Sequence, residues 1–493
     1  MLRFSLFLCL VNIFTMNTNS FKYYVFYDLE TTGINPAFDQ ILQFAAIKTD
    51  LNLNIIEEYE YNLKLRQDVI PQPGALIVNR LNINKVMNGE KEYEAVKKMH
   101  AVLSAPDTIN LGYNTISFDD EFMRFAYDRN LLNPYSNQNN QANCARMDVM
   151  PITILYFLYQ KNALRWPENN GRPNLKLENL NELNGLARGM AHDALVDVKA
   201  TIELAKRLRE SNTAMWNYLC EGFDKNIDLN RINSLDKIIL LDGLECELGI
   251  FIRNRFGYKN NCMSLCAKVL YQEDMSRSFW LRLDTKDFKS INLQEILSEL
   301  EKSTVNRKIG VPDFILPIKD KYNVSSEKKK ELFESNLNWM KSNPQYIEAL
   351  KDRLLNKTYE SIDIDSDAAL YSRGSLFFDK DKKKVCQDFH KIDDLELKNS
   401  FVESISFDDV REIAIRIMGR NYYSSLSTRV KDKFHEYMQS INEGNHFDFR
   451  GGKRNTIEKS LNDIRARLED VSKLESDQVE ILESFEKYLL EKD

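Results

Sequence analysis

The sequence predicts a multidomain protein of the α/β class, and three observations support this prediction. The chain has 493 residues, more than a single hydrophobic core usually serves, so we expect about three domains. Strand-like and helical patterns alternate over residues 21–211. Short strand-like runs dominate residues 212–360, and residues 361–493 have a helical pattern.

The first predicted domain, residues 21–211, combines strands with amphipathic helices. Strands are indicated by aromatic and β-branched residues, and helices by apolar residues that recur three or four positions apart. The predicted elements are, in order, three strands at Phe21–Asp28, Ile41–Thr49 and Asn54–Asn62, a helix near Glu92–Leu103, an apolar run at Ile109–Tyr113, and helices over Asp119–Asn130 and Ala194–Arg209.

The rest of the chain divides into a β-rich and a helical part. Residues 212–360 contain the strand-like runs Ile238–Leu241 and Phe279–Leu283 and the helical stretch Glu327–Lys341. In the last part, apolar residues from Ile457 to Leu474 repeat at spacings of four and three. This spacing predicts one long amphipathic helix.

Composition limits the class of protein. Hydrophobic residues make up 43% and charged residues 29% of the chain, which argues against a disordered protein. The seven cysteines are scattered, and Cys262 and Cys266 have no second pair to complete a zinc site, so we expect reduced thiols in a cytoplasmic protein without a membrane span. Because the net charge is −7, any path for a nucleic acid must be a local basic feature.

The N-terminal extension, residues 1–20, allows two interpretations. Arg3 and the apolar run Phe4–Phe14 have the length of a signal-peptide core. No small-residue cleavage site follows this run. We therefore favour a mis-assigned start, with Met16 as the first residue.

Asp28-Leu29-Glu30 ends the first predicted strand and is the first candidate for chemistry. Residues at alternate positions of a strand point to the same face, so both carboxylates can reach one cation. Oxygen ligands of this kind suit Mg²⁺ or Mn²⁺. The motif is not specific by itself, because Asp394-Leu395-Glu396 repeats it in polar surroundings.

The second candidate follows the apolar run that ends in Leu111-Gly112-Tyr113-Asn114. Asp119 opens the next predicted helix within Phe118-Asp119-Asp120-Glu121. An acidic residue at that position can bind metal, and it can equally cap the helix and interact with its dipole. The residues alone leave both roles open.

The third candidate is His192 with Asp197, in Ala191-His192-Asp193-Ala194-Leu195-Val196-Asp197. His192 is the one histidine of the five with an aspartate at this offset. An imidazole can take a proton from water near neutral pH, so His192 is a candidate general base. The alternative is a structural histidine ahead of a helix.

In this order the three motifs resemble the DEDD exonuclease superfamily, histidine subtype. Further segments resemble the bacterial exodeoxyribonuclease I family, and the similarity extends over about residues 22–493. These segments are Pro71-Gln72-Pro73-Gly74-Ala75, Trp166-Pro167-Glu168-Asn169, Ala191-His192-Asp193-Ala194 and Asp367-Ala368-Ala369-Leu370-Tyr371. The resemblance implies an RNase H-like exonuclease domain, an SH3-like β-rich domain and an α-helical C-terminal domain.

The resemblance also implies an activity and a set of site residues. We expect a monomeric enzyme of DNA repair and recombination that degrades single-stranded DNA from 3′ to 5′ and releases 5′-mononucleotides with two Mg²⁺ ions, Mn²⁺ being a substitute. Single-stranded-DNA-binding protein is the implied protein partner. The implied metal ligands are Asp28, Glu30, Asp119 and Asp197, with His192 as the base and with Glu30, Arg124, Tyr135 and Lys176 against the DNA.

One feature of the family is missing from this sequence. The loop after Tyr135 carries tryptophans in the family, whereas this chain has Ser136-Asn137-Gln138-Asn139-Asn140. The residues alone allow two other functions. One is another exonuclease of the superfamily, which trims RNA or serves as the proofreading subunit of a polymerase. The other is a nucleic-acid-binding module without catalysis. Such a module would be expected to lack a ligand, but all five catalytic positions are filled.

Overall fold

The computed structural model describes residues 21–138, 142–189, 192–241, 243–311, 313–356, 364–442 and 446–492. The predicted N-terminal extension and the predicted boundary at residue 360 lie outside these ranges. Within them, no helix is both long and apolar enough to cross a membrane. The six cysteines of the described part are buried and form no disulfide bond with one another.

The first part of the chain forms a five-stranded sheet with helices on both faces. The strands are β1 (Tyr23–Thr31), β2 (Ile41–Asp50), β3 (Ile55–Asn62), β4 (Thr108–Leu111) and β5 (Cys144–Arg146), followed by the short pair β6 (Glu168–Asn169) and β7 (Arg172–Pro173). The helices are α1 (Pro73–Val78), α2 (Ile83–Val86), α3 (Glu92–Leu103), α4 (Asp119–Asp128), α5 (Val149–Tyr159), α6 (Leu177–Asn184) and α7 (Ala194–Ser211). The predicted strands and helices of this part are thereby confirmed within a few residues.

The order of strands in the sheet is β3-β2-β1-β4-β5. β1 and β2 pair antiparallel, as do β2 and β3, whereas β4 pairs parallel with β1 and β5 parallel with β4. Phe26 and Ile47 pack into a hydrophobic cluster with Ile202 of α7, while Val25 packs on the other face with Phe122 of α4. β1 is therefore covered on both faces, which explains its nearly continuous apolar sequence.

The middle of the chain forms a second, six-stranded antiparallel sheet. Its order is β12-β11-β10-β9-β13, with β8 also paired to β9. The strands are β8 (Lys237–Ile239), β9 (Glu245–Ile252), β10 (Met263–Gln272), β11 (Arg277–Arg282), β12 (Thr304–Lys308) and β13 (Phe314–Leu316), and the helices are α8 (Thr213–Glu221), α9 (Lys225–Asn233), α10 (Ile296–Ser303), α11 (Glu327–Ser342) and α12 (Pro344–Leu355).

One hydrophobic cluster continues from the first sheet into the second. It contains Ile109 and Ile202 from the first part of the chain together with Leu265 and Leu281 from β10 and β11. α7 ends at Ser211, and the side chain of Asn212 caps α8 through Met215 N. The predicted boundary at residue 211 thus lies between two helices that are connected directly.

The last part of the chain is helical, as predicted. Its helices are α13 (Leu370–Arg373), α14 (Lys380–Lys391), α15 (Leu395–Ser404), α16 (Asp408–Tyr422), α17 (Thr428–Asn442), α18 (Ile457–Leu468) and α19 (Ser476–Lys492). The prediction of one long helix from Ile457 to Leu474 is wrong. Asp470 has φ −132° and ψ 73°, so the helical backbone ends there, although Leu468 and Leu474 still pack against the same core.

The C-terminal helices pack against the first part of the chain. Ile464 of α18 and Phe485 of α19 share a hydrophobic cluster with Leu76 of α1 and Ile83 of α2. The last helices of the described chain therefore share one core with the segment that follows β3. This packing closes the helical part onto the first sheet.

A buried ionic network also links the helical last part of the chain to the first part. Asp68, which follows β3, accepts hydrogen bonds from Arg420 of α16 at 2.7 Å and from Arg66 at 3.1 Å. Arg420 also pairs with Asp367, to which Arg454 donates at 3.0 Å. Burial opposes the ionised form of Asp68, but Arg420 and Arg66 hold its pKa well below the ordinary value.

Candidate active site

The sheet register places Asp28 and Glu30 at the carboxyl edge of the first sheet. Strand β4 pairs with β1 only as far as Phe26 opposite Leu111, so both acidic residues lie beyond the end of β4. The chain turns there at Gly112, where a Cβ would lie 2.5 Å from the carbonyl oxygen of Tyr27. Only glycine allows this close approach, which brings the start of α4 to the two carboxylates.

Asp148 holds the turn that leads to Asp119. Its carboxylate accepts hydrogen bonds from the backbone N–H groups of Asn114 at 2.9 Å and Ile116 at 3.2 Å, and it caps α5 through Met150 N at 3.0 Å. Burial raises the pKa of Asp148 to about 7, against the effect of these donors. Sequence reasoning missed this residue, whose one sequence signal is its place directly before a helix.

The two aspartates that open α4 have different surroundings. Asp120 accepts hydrogen bonds from Tyr27 Oη at 2.7 Å and Asn137 Nδ2 at 2.8 Å, and it forms an ion pair with Arg146. Asp119 is buried and has no ion pair among the described residues. The residue before Asp119 gives the helix no side-chain cap. Asp120 is thus held in place by hydrogen bonds and an ion pair within the protein. Asp119 instead faces the carboxylates of β1.

The start of α7 brings His192 and Asp197 to the same place. Asp193 caps this helix by accepting from the backbone N–H groups of Leu195 and Val196 at 3.1 and 3.2 Å. His192 has φ +63°, a left-handed conformation that is unusual for a residue other than glycine. Possible ligand atoms of Glu30, His192 and Asp197 all lie within 4.8 Å of one another.

The four carboxylates interact electrostatically. Burial, followed by repulsion from Asp119, Glu30 and Asp197, raises the pKa of Asp28 well above its ordinary value. Burial and the neighbouring acids likewise raise the pKa of Glu30 and of Asp119, and burial raises that of Asp197 to about 7. Because these four acids disfavour one another's ionisation, a divalent cation bound between them would stabilise their charged forms.

His192 also contacts a carboxylate that sequence reasoning missed. Its Nε2 lies 3.3 Å from Glu178 Oε2, in α6. Glu178 in turn accepts from Lys176 Nζ at 3.2 Å. Lys176, predicted to contact DNA, is therefore linked to His192 through Glu178, and its own side chain is exposed.

The other two predicted DNA-contact residues lie side by side. Arg124 is buried, pairs with Glu121, and has its guanidinium 5.5 Å from the ring centre of Tyr135. On Tyr135 stacks Phe378, with ring centres 5.8 Å apart and planes at 2°. Phe378 is 74% exposed. Sequence reasoning missed this aromatic residue, because it comes from the helical part of the chain.

Comparison with known proteins defines the class of the first part of the chain. Residues 25–205 match the model of the Exonuclease family. This match spans nearly all of the first sheet and every candidate catalytic residue. The chain thus carries an exonuclease domain and is a nuclease of the hydrolase class.

The similarity to particular proteins reaches further along the chain. A Buchnera aphidicola protein named exodeoxyribonuclease I is 28% identical over 434 residues, which cover 84% of this chain and 86% of that protein. Exodeoxyribonuclease I of Escherichia coli is 36% identical over 199 residues, 40% of this chain and 42% of the relative. The resemblance drawn from the sequence motifs is confirmed.

The fold is shared along nearly the whole chain. The structure of Escherichia coli exonuclease I in complex with a dA16 oligonucleotide superposes with a TM-score of 0.80, at 21% identity, over 96% of this chain and 100% of that one. The predicted fold class is thereby confirmed: an exonuclease domain, a β-rich part and a helical part.

Proposed function

We propose that this protein is an exodeoxyribonuclease that hydrolyses single-stranded DNA from its 3′ end, in DNA repair and recombination, and releases 5′-mononucleotides. The observation that carries the proposal is the convergence of Asp28, Glu30, Asp119 and Asp197 beside His192 at one edge of the exonuclease sheet. Exodeoxyribonuclease I is the name of relatives that match most of the chain.

The donor set fits hard divalent cations. All four acids offer carboxylate oxygens, and the burial and mutual repulsion that raise their pKa values would be relieved by positive charge. We propose that Asp28, Glu30, Asp119 and Asp197 hold two Mg²⁺ ions, for which Mn²⁺ can substitute. Such ions neutralise the charge that develops on the attacking and leaving oxygens of a phosphodiester.

The side chains around this site have separate roles in the proposal. His192, with Nε2 turned to Glu178, accepts the proton of the attacking water, and Glu178 orients its ring. Asp148 keeps Asp119 in place through the turn that precedes α4. Lys176 contributes positive charge for a terminal phosphate, as a point charge without the two-pronged geometry of arginine.

A base-stacking surface supports single-stranded DNA as the substrate. Phe378 and Tyr135 stack in parallel beside Arg124, and Phe378 is accessible to solvent. An exposed ring can stack on a base of any sequence, for about 1–3 kcal/mol per base. We propose that this pair takes the place of the tryptophans missing from the loop after Tyr135.

The remaining parts of the proposal rest on the family resemblance. They are a monomeric enzyme, a cytoplasmic location, and single-stranded-DNA-binding protein as a partner. The rival functions differ in substrate or in chemistry. An RNA-trimming or proofreading enzyme would share the catalytic residues, and a pure binding module would not hydrolyse DNA.

End-labelled DNA and RNA of the same sequence test the proposal. Purified protein is incubated with single-stranded DNA, duplex DNA and RNA, labelled at either end, with Mg²⁺ or with EDTA. We expect Mg²⁺-dependent shortening of 5′-labelled single-stranded DNA and release of labelled mononucleotide from the 3′-labelled strand. Preferential digestion of RNA, or binding without hydrolysis, would contradict it.

A further inference from the structure

Asp120 is held by side chains from three separate parts of the exonuclease domain. Its Oδ1 accepts hydrogen bonds from Tyr27 Oη of β1 at 2.7 Å and from Asn137 Nδ2, in the turn before β5, at 2.8 Å. Its Oδ2 forms an ion pair with Arg146 of β5. Tyr27, Asp120 and Asn137 are each at most 2% exposed. We call these four residues the Asp120 anchor.

The Asp120 anchor connects the neighbours of two candidate metal ligands. Tyr27 directly precedes Asp28 on β1, and Asp120 directly follows Asp119 at the start of α4. The hydrogen bond from Tyr27 to Asp120 therefore joins the backbone that carries one ligand to the backbone that carries the other. The position of Asp119 relative to Asp28 depends on this bond.

Backbone pairing gives little support at this point of the domain. Among the described residues, the parallel register of β1 with β4 ends at Phe26 opposite Leu111, one residue before Tyr27. In the same structure α4 begins without a side-chain cap. The carboxylate of Asp148 holds the turn before Asp119, so the Asp120 anchor holds the chain on the other side of this ligand. Its bonds are charge-assisted, which makes them stronger than bonds between neutral groups.

Asn137 gives a role to the loop that follows Tyr135. Ser136 and Asn137 are 4% and 2% exposed, so the described part of this loop packs inside the domain. The backbone carbonyl of Asn137 accepts from Asn110 Nδ2 of β4 at 3.3 Å, which fixes the turn against the sheet. The residues that stand in this chain where the family has tryptophans thus supply a hydrogen-bond donor to Asp120.

We infer that Asp120 is a positioning residue, which fixes Asp119 relative to Asp28 for metal binding. Tyr27 and Asn137 act through its carboxylate. Metal binding at these acids is part of the proposed function, on which this inference rests. Side chains that orient metal ligands without touching the metal commonly change metal affinity when they are altered.

Two tyrosine-to-phenylalanine variants separate positioning from stability. Tyr27→Phe removes the hydroxyl that binds Asp120 and keeps the buried ring. The matched control is Tyr156→Phe, which removes a hydroxyl that donates to the carbonyl oxygen of Asn212 at 2.7 Å. Asn212 follows α7 and lies about 22 Å along this helix from Asp197, so the control is far from the candidate metal site. Both variants lose one buried hydrogen bond, and we expect similar small decreases in melting temperature.

Metal binding is measured without DNA, by titrating each protein with Mn²⁺ and following the electron paramagnetic resonance signal of the free ion. We expect Tyr27→Phe to bind Mn²⁺ about tenfold more weakly than wild type. With a 5′-labelled strand it should need about tenfold more Mg²⁺ for half-maximal hydrolysis. Its affinity for dT20 in EDTA should equal that of wild type, because the Tyr27 side chain is buried. Tyr156→Phe should match wild type in all three measurements.

Equal Mn²⁺ affinities of Tyr27→Phe and Tyr156→Phe would overturn the positioning role. Should Tyr27→Phe fail to fold, Asn137→Ala removes the other donor to the same oxygen. We expect this variant to weaken Mn²⁺ binding by a similar factor, and wild-type affinity in it would overturn the role as well.

The two proposals fail in different ways. A wild-type protein that binds Mn²⁺ more tightly than Tyr27→Phe, but does not hydrolyse DNA, contradicts the proposed function and supports the positioning role. Normal hydrolysis combined with equal Mn²⁺ affinities contradicts only the positioning role. A wild-type protein that binds no Mn²⁺ contradicts both.

Discussion

Asp197→Asn should abolish hydrolysis and, without metal, make the protein more stable at alkaline pH. Burial raises the pKa of Asp197 from an ordinary 3.8 to about 7. This difference between the two pKa values corresponds to roughly 4 kcal/mol, and screening by water at this partly exposed group reduces the free energy to about 2 kcal/mol. Asparagine keeps the shape of the side chain and removes this penalty together with the metal ligand.

The sign of the pH dependence follows from proton binding. Between about pH 4 and pH 7 the folded protein holds a proton on Asp197 that the unfolded chain has lost, so stability falls as pH rises through this window. In EDTA the variant should therefore melt at the same temperature as wild type at pH 4 and about 2 °C higher at pH 8, because a cooperative unit of this length has an unfolding entropy of roughly 1 kcal/mol/K. Saturating Mg²⁺ should stabilise wild type more than the variant.

Differential scanning fluorimetry at pH 4, 6 and 8, with EDTA or Mg²⁺, measures these differences, and a 5′-labelled strand measures hydrolysis. Asp193→Asn, which alters a helix cap beside the site, is the matched control. Hydrolysis retained by Asp197→Asn would refute its role as a metal ligand, and a melting temperature below that of wild type at pH 8 in EDTA would refute the burial penalty.

Further predictions concern the base, the stacking surface and the buried network. His192→Ala should lower the single-turnover rate at saturating Mg²⁺ by about 10²–10⁴-fold, with DNA affinity unchanged in EDTA; a variant with the wild-type rate would make His192 structural. Phe378→Ala should weaken dT20 binding by about 1–3 kcal/mol in fluorescence anisotropy, and Phe378→Trp should retain it; equal affinities would exclude stacking there. Asp68→Asn should destabilise the protein by about 3–5 kcal/mol in urea, because it leaves Arg420 with less compensation in the core; an unchanged midpoint would contradict this role.

The sequence predicted the exonuclease sheet well because its signals are local. The apolar run of β1 and the helical spacing of α7 are visible in a short window, and the structure has both. The prediction of one long C-terminal helix failed for a related reason. Apolar spacing continues from Leu468 to Leu474, but Asp470 ends the helical backbone, and spacing alone cannot register such a break.

The candidate catalytic residues could be proposed from the sequence because each belongs to a short motif with a fixed order. The side chains that contact or position them could not be found in this way. Glu178 meets His192 from another helix, and Phe378 meets Tyr135 from a part of the chain more than two hundred residues away. Asp148 acts through backbone hydrogen bonds to a turn that precedes it by about thirty residues. Contacts of this kind depend on the tertiary fold and leave no pattern in a single sequence.

The hydrophobic cluster that joins the two sheets bears on how the protein can be dissected. A fragment ending near residue 211 would contain every candidate catalytic residue, but it would expose the apolar side chains that Leu265 and Leu281 cover. A second cut, before α18, would uncover α1 and α2. Recombinant fragments of the nuclease region alone should therefore aggregate or unfold, and the two sheets should melt in a single cooperative transition. Evolution cannot easily exchange the first part of this chain as a separate module, because its interior is completed by residues from the rest.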